Sequence, residues 1–390
     1  MASLLVAVIY LAFVSLGLPD SLLGSGWPTM RAAFDVPSSY AGYVSMTISC
    51  MTIVAALAAP YFIRRVRTDR ITVLSTFLTV IGLLGVSFST DFWMLIAFAV
   101  PFGLGAGAVD AALNNYVAKR YPSSVMNWLH CFYGLGAMIS PYIMALALTH
   151  AGWNEGYRWT AYLQAGIMLI VILSAPLWKR GKAAEEEDER GGAGIREAIK
   201  IPGVKPTLVS FYAYCAGEAT CFLWTSSFFA AREGVSPELA AAFGSLSFGG
   251  LMLGRLLSAF VSDRTGDRIL IRVGIAVEFI GIALIALPFK GYIPAAVGFL
   301  VAGTGMGPVY PAIQHMAPGN FGRRNSAAVI GMQMASAYTG STLMPMVFGH
   351  IQQVLSIGLM PLYMAVFAAL NIGMLEYAYT RIGKNGRKEE

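Results

Sequence analysis

The sequence predicts an all-α membrane protein of twelve transmembrane helices arranged as two pseudo-symmetric six-helix bundles. Three observations predict it. Charged residues make up 12% of the 390 and hydrophobic residues 56%, whereas a soluble domain carries roughly 25% charge. Apolar runs of about 20 residues, the length that crosses a hydrocarbon core, recur from end to end. The runs also fall into two sets of six that repeat one another.

The spans are drawn at 3–26, 38–61, 71–89, 92–118, 128–149, 158–179, 207–231, 237–262, 269–288, 291–315, 325–350 and 354–380. The first is read as a span and not as a signal peptide. It has no basic leader, and Pro19 and Asp20 stand where a cleavage site needs small residues. Between spans 6 and 7 runs a solvated linker with the acidic stretch Glu185 to Glu189 and a glycine-rich turn. A short surface helix is expected near residues 195–201. The expected domains are therefore residues 1–179, a linker at 180–206, and residues 207–390.

Charge sets the expected orientation. Of the 27 Lys and Arg, 22 lie in or at the edges of the loops between spans 2–3, 4–5, 6–7, 8–9 and 10–11, or in the C-terminal tail. The positive-inside rule then puts both termini in the cytoplasm. The net charge of +6 is a topology signal. Scattered over short loops, it makes no nucleic-acid surface. Cys50, Cys131, Cys215 and Cys221 all fall in apolar runs with no His at ligand spacing, so neither a disulfide nor a metal site is expected.

Spans 4 and 10 carry the repeat. Gly103, Gly105, Gly107, Val109, Asp110, Leu113, Asn114 and Asn115 match Gly303, Gly305, Gly307, Val309, Tyr310, Ile313, Gln314 and His315 at a constant offset of 200. Gly17 and Gly217 share that offset. An internal duplication of this kind marks many secondary transporters.

A second element repeats in the basic loops. Late in span 8 come Gly254 and Arg255, and after it Asp263-Arg264-Thr265-Gly266-Asp267-Arg268; after span 2 comes a weaker copy, Arg64 to Arg70, without the glycine. The first of these resembles the signature loop of the major facilitator superfamily of twelve-span transporters. That resemblance implies a cytoplasmic gate latched by Arg255, Asp263, Arg264 and Arg268. A closer likeness covers spans 1 to 5. Gly24, Gly26, Trp27 and Pro28, the stretch Asp110 to Val117, then Asn127, Trp128, Leu129 and His130, with Gly134, Gly136 and Pro141, resemble the fucose permease-like sugar:proton symporters. The chain departs in having Asp110 where Glu is common and His130 where Gln is frequent, which leaves the particular sugar open.

Buried charge points to the chemistry. An acid at the bilayer centre costs roughly 2.5–3.5 kcal/mol, yet Asp20, Asp110, Glu218 and Glu278 lie well inside spans. Matching cations are lacking apart from Arg255, so protonated carboxyls are expected in place of ion pairs. Desolvation lets such a group gain and lose a proton during a transport cycle. The expected coupling acids are Asp110 first, then Asp20 and Glu218. Glu278 and His315 are read as packing or boundary residues. Gly103, Gly107, Asp110 and Asn114 share one side of span 4, and Gly303, Gly307, Tyr310 and Gln314 one side of span 10. The superfamily resemblance turns both sides toward a central cavity. Amides and carboxylates bond hydroxyls, and aromatic rings cover the apolar face of a sugar. Asn114, Asn115, Asn127, His130, Gln314 and Gln333 are the expected polar contacts, with Trp27, Trp224 and Tyr310 as ring platforms.

The function read from this is a secondary active transporter, a proton-coupled symporter of a sugar, glycoside or related polyol working by alternating access. The alternative is a proton-driven exporter of amphipathic compounds. Ser140-Pro141 followed by bulky residues, where drug antiporters carry Gly-Pro, weighs against it. No nucleophile–base pair appears, so an enzyme is not expected. No cofactor is expected. The coupling ion is H⁺, with Na⁺ the alternative, since carboxylate and amide oxygens suit both. The expected setting is a monomer in a bacterial inner (plasma) membrane, with a small-molecule substrate, the lipid bilayer and no nucleic acid as partners.

Overall fold

A helix that crosses lipid satisfies its own backbone hydrogen bonds, so a chain built of apolar 20-residue runs becomes helical throughout. The computed structural model describes residues 2–37, 40–178, 194–231, 235–287 and 291–386. Among them every regular element is a helix. The twelve spans are Ala2–Gly17 with Leu22–Ala33, then Ala41–Ile63, Thr68–Ser87, Phe92–Arg120, Ser123–His150 and Trp153–Leu173, and, after the linker, Val204–Ala230, Leu246–Thr265, Asp267–Ala286, Ile293–Met306 with Val309–His315, Ser326–Val354 and Met360–Gly386. The acidic run of the linker lies outside the described residues. The short helix expected beyond it is Ile195–Ala198.

Four spans differ from the continuous helices drawn from the sequence: span 6 divides into Trp153–Leu173 and Ala175–Trp178, span 8 into Pro237–Phe243 and Leu246–Thr265, and spans 1 and 10 break nearer their middles. Span 1 is interrupted at 18–21, where Pro19 lacks an N–H and disfavours helical geometry in Leu18. Span 10 is interrupted at Gly307 and Pro308. Prolines at 28, 60, 101, 141 and 345 sit inside continuous helices, so proline alone does not make a break. Among the described residues nine helices are long and apolar enough to cross a membrane by composition. Spans 7, 8 and 11 fall short of that measure. They carry the interior polar groups, Glu218, Arg255 and Gln333 among them.

The chain forms two compact units. One comprises Met1–Val117, Trp128–Ile195 and Arg323–Ala335; the other comprises Ala118–Asn127, Arg196–Gly322 and Ser336–Glu390. Each unit thus holds most of one sequence half and a short piece of the other. The pieces are the matched starts of spans 5 and 11. The first unit centres on Leu22, Trp27, Met30, Leu83, Leu95, Met144 and Trp153. The second centres on Phe211, Phe229, Ile271, Phe299 and Phe348. Large apolar residues such as Leu74, Phe77, Leu169, Leu257 and Phe260 are exposed along the spans, as lipid-facing surface requires.

The repeated glycines do the same job in both units. A Cβ on Gly103 would stand 2.4 Å from the Ile48 carbonyl oxygen, and one on Gly107 2.3 Å from that of Thr52. In the second unit a Cβ on Gly303 would stand 2.1 Å from the Ser247 carbonyl oxygen, and one on Gly307 2.6 Å from the Arg255 nitrogen. Span 4 therefore lies directly on span 2, and span 10 on span 8, as small residues allow in membranes. Thr52 Oγ1 adds a 3.1 Å hydrogen bond to the Gly103 carbonyl. The glycine face of span 4 is thus a helix contact and not the open cavity wall expected from its spacing.

Gly103→Val and Gly303→Val are expected to destabilise the protein to a similar degree, by about 1–3 kcal/mol of overpacking. Gly24→Ala, where nothing lies within 4 Å of the added carbon, leaves stability unchanged. Thermal unfolding in detergent checks all three.

Candidate functional site

The break in span 1 positions Asp20. The residue lies in the turn between the two helices, is exposed, and accepts a hydrogen bond from Tyr133 Oη. Span 5 reaches it because two glycines let the helices touch. Gly17 packs on the Tyr133 carbonyl and Gly136 on that of Val14. Tyr133 was not singled out in the sequence, where nothing marks its proximity to Asp20.

Asp110 is 5% exposed and Asn114 fully buried. One helical turn apart, they join through Asn114 Nδ2, which donates to Asp110 Oδ1 at 2.7 Å and to the Asp110 carbonyl at 2.9 Å. That fixes the other end of the amide. Asn114 Oδ1 faces His130 Nε2 at 3.2 Å and can only accept, so the imidazole donates there. Phe13 holds the His130 ring edge-on at 5.5 Å. The three sequence-selected residues form one buried chain from span 4 to span 5.

Other expected contacts are placed differently. Asn115, rotated away from Asn114, accepts from Ser326 Oγ at 2.7 Å and ties span 4 to the start of span 11. Asn127 is fully buried, with Nδ2 donating to the Ser123 carbonyl at 3.0 Å. Trp27 packs in the first unit's core beside Leu22, Met30 and Trp153, so burial removes it as a ring platform in this structure. Trp224 is half-buried, its indole N–H donating to the Pro345 carbonyl at 3.0 Å. Tyr310 stacks obliquely on Phe211, ring centres 4.6 Å apart. Gln314 and Gln333 are both fully buried. Neither amide atom of Gln333 has a hydrogen-bond partner among the described residues. A small cavity between spans 1, 3, 4 and 6, lined by Ser15, Thr79 and Gln164, has room for about one water.

Glu218 is not the cation-free acid expected. Arg255 Nη2 lies 3.7 Å from its Oε1, and Tyr214 Oη lies 2.7 Å from the same oxygen. Arg255, expected in the gate, is therefore an interior residue, 5% exposed in mid-span 8. Its pairing with Glu218 could not be read from a separation of 37 positions.

The rest of the signature loop meets the start of span 5. Asp263 accepts from the Ser124 backbone N–H at 2.9 Å and from Ser124 Oγ at 2.6 Å. The first N–H groups of a helix lack intrahelical partners and carry partial positive charge, so Asp263 caps span 5 from another helix. Asp267 accepts from Ser123 Oγ and lies 2.6 Å from His315 Nδ1, while His315 Nε2 lies 2.9 Å from the Tyr121 carbonyl. Both ring nitrogens face acceptors, an arrangement that the doubly protonated imidazole satisfies in full. Arg268 sits over the Tyr379 ring at 4.4 Å. The acids of this loop thus hold span 5 and His315; Asp267, His315, Ser123 and Ser124 carry roles the sequence reading did not give them.

Among the described residues no group of His, Cys, Asp and Glu is arranged to hold a metal ion.

Comparison with known proteins fits this geometry. The profile of the Major Facilitator Superfamily matches residues 9–345. A proton:xylose symporter bound to 6-bromo-6-deoxy-D-glucose superposes over 97% of this chain and 95% of its own, with a TM-score of 0.79 at 12% identity. The E. coli fucose:proton symporter superposes over 97% and 98%, with a TM-score of 0.77 at 16% identity. The human organic anion transporter MFSD10 gives 0.74 at 13% identity over 96% and 98%. A D-xylose transporter of Levilactobacillus brevis is 29% identical over 113 residues, 27% of this chain and 24% of its own length. A probable sphingolipid transporter of Arabidopsis thaliana, spinster homolog 1, is 29% identical over 97 residues, 24% of this chain. The chain spans only 24% and 19% of the lengths of these two curated relatives.

Asp263→Asn removes the charge that caps span 5, worth about 1 kcal/mol, and is expected to make opening at this end about fivefold easier. Labelling of a cysteine at Met126, a fully buried neighbour, from the side of these loops measures it.

Proposed function

Because the chain belongs to the Major Facilitator Superfamily, and so is an integral membrane transporter and not an enzyme, we propose that it is a proton-coupled symporter of a sugar, glycoside or related polyol, working by alternating access. The observation that carries the reading is the pair of intramembrane acids in the first unit. Asp20 is exposed at a helix break, and Asp110 is buried at the end of a polar chain. A coupling acid must ionise when water reaches it and become neutral when it is buried. Asp20 is the acid placed at the break in span 1. Its bond from Tyr133 Oη is served by either form, since an ionised or a neutral carboxyl accepts. Asp110 is the acid that the Asn114–His130 chain can report on, because a changed charge there changes what Asn114 and His130 must donate. Asp20 therefore exchanges the proton with water, and Asp110 couples it to the hydroxyl-reading amides.

Solved structures of a proton:xylose symporter and of fucose:proton symporters share the fold, which supports a sugar as substrate. Gln333 supports it from within. A buried amide without partners costs about 1–3 kcal/mol per unmet group, and a polyol hydroxyl supplies both donor and acceptor. Positive-inside loops support a cytoplasmic location for both termini and for the latch built on Asp263, Asp267 and His315. We place the protein, as a monomer, in a bacterial inner membrane.

Reconstituted in vesicles, Asp20→Asn and Asp110→Asn should retain substrate counterflow, because Asn keeps the shape of the protonated acid, and should lose accumulation driven by a pH gradient. A variant that still concentrates substrate relieves its acid of the coupling role. Driving uptake by sodium in place of protons would transfer the role to Na⁺.

Gln333→Leu should act in opposite directions on stability and binding. It raises the melting temperature without substrate, because an unmet amide is removed, and it weakens the stabilisation that a transported sugar confers. Thermal-shift measurements with and without a panel of sugars check both signs.

A further inference from the structure

We infer that Glu218 is a second proton-binding site, lodged in the second unit, whose proton decides whether span 7 is tied to the break in span 10. The use of this site in transport rests on the proton-coupled reading above; its existence rests on a hydrogen-bond count. Tyr214 and Glu218 lie one helical turn apart on span 7. Tyr214 Oη stands 2.7 Å from Glu218 Oε1 and 3.0 Å from the carbonyl oxygen of Met306. A phenol has one proton to donate and a carbonyl can only accept. Tyr214 fully serves both neighbours only when the second proton comes from Glu218.

Two states follow. With the proton on Glu218, the carboxylic acid donates to Tyr214 Oη, and Tyr214 donates to the Met306 carbonyl. With the proton released to water, the carboxylate draws the phenol proton to itself, because charge-assisted bonds are the stronger, and the Met306 carbonyl loses its donor from span 7. Arg255 stands between these states. Its Nη2 is 3.7 Å from Glu218 Oε1, longer than the 2.7–2.9 Å of a closed charge-assisted bond, so the ion pair is a loose one.

The surroundings turn this local exchange into a movement. Met306 is the last residue of Ile293–Met306, and the break at Gly307 and Pro308 follows it. Gly307 rests on the backbone of Gly254 and Arg255, with no room for a side chain. The carbonyl that Tyr214 holds or releases, and the residue that bears the counter-charge, therefore meet at one hinge. The titratable and charged groups around Glu218 are Tyr214, Cys215 and Cys221 on span 7, Arg255 on span 8, Glu278 on span 9 and Tyr310 on span 10. Glu278 is 4% exposed, and its Oε2 has no hydrogen-bond partner among the described residues. Ionising Glu218 and Glu278 together would put two like charges in one low-dielectric interior. Glu278, a packing residue by its place on span 9, biases its neighbour in this arrangement.

The test is pH-difference infrared spectroscopy on the full chain in lipid vesicles without substrate. Wild type is expected to show a carboxylic-acid C=O band that titrates. Glu218→Gln should remove that band, and Tyr214→Phe, which deletes only the bonding hydroxyl, should shift its frequency. The Asp20→Asn/Asp110→Asn double variant should keep it, which separates this site from the first-unit acids whatever their role. A band unchanged in Glu218→Gln, or no shift in Tyr214→Phe, overturns the proposal. If Glu218→Gln does not fold, the Tyr214→Phe spectrum decides alone.

Discussion

Lipid offers no hydrogen bonds, so each backbone N–H and C=O within the membrane must find a partner in the protein. This constraint makes nearly every described residue helical and shapes the breaks in spans 1 and 10. Where span 1 breaks at Pro19 and span 10 at Pro308, the helical ladder is interrupted and polar side chains stand nearby, Tyr214 bonding the Met306 carbonyl directly. Asp20 and Tyr133 stand at the first break. Tyr214, Glu218 and Arg255 stand at the second. Polar side chains also meet away from the breaks: Asp110, Asn114 and His130 join one another within continuous helices. Discontinuous helices that house coupling sites are a recurrent transporter device.

The same solvent explains the packing. Without a hydrophobic drive between helices in lipid, close contact comes from small residues. The glycines repeated 200 positions apart bring span 4 onto span 2 and span 10 onto span 8, carbonyl to α-carbon. The duplication is thus preserved where packing needs it and relaxed where function does not. Asp110 and Tyr310 occupy matched positions but do different work, one at the head of a polar chain and the other on the Phe211 ring.

Much of this was legible in the sequence, for physical reasons. Most of the spans follow from hydropathy, and the family from its loops and repeat. Asp20, Asp110, Asn114 and His130 stood out because polar groups are costly in lipid, and the last three do meet. Illegible were the contacts set by helix rotation and by pairs far apart in the chain. A turn of about 100° per residue sends Asn115 to Ser326 while Asn114 meets Asp110. Arg255 looked like a gate residue from its motif, yet its depth in span 8 gives it to Glu218. Span 5 begins with two serines of no special pattern, and only the folded chain brings Asp263 to its open N–H groups. Trp27 read as a ring platform and is core, since an aromatic stripe looks the same from either side of a helix.

Symport and export differ in the direction in which protons move when substrate runs downhill, and that direction is the most direct test of the central claim. Purified protein is sealed into vesicles with a pH-sensitive dye inside, without a pH gradient, and sugars are added outside. The account predicts that a transported sugar carries protons inward and acidifies the lumen. An alkaline lumen on substrate entry, or sugar entry with no proton movement, would contradict it.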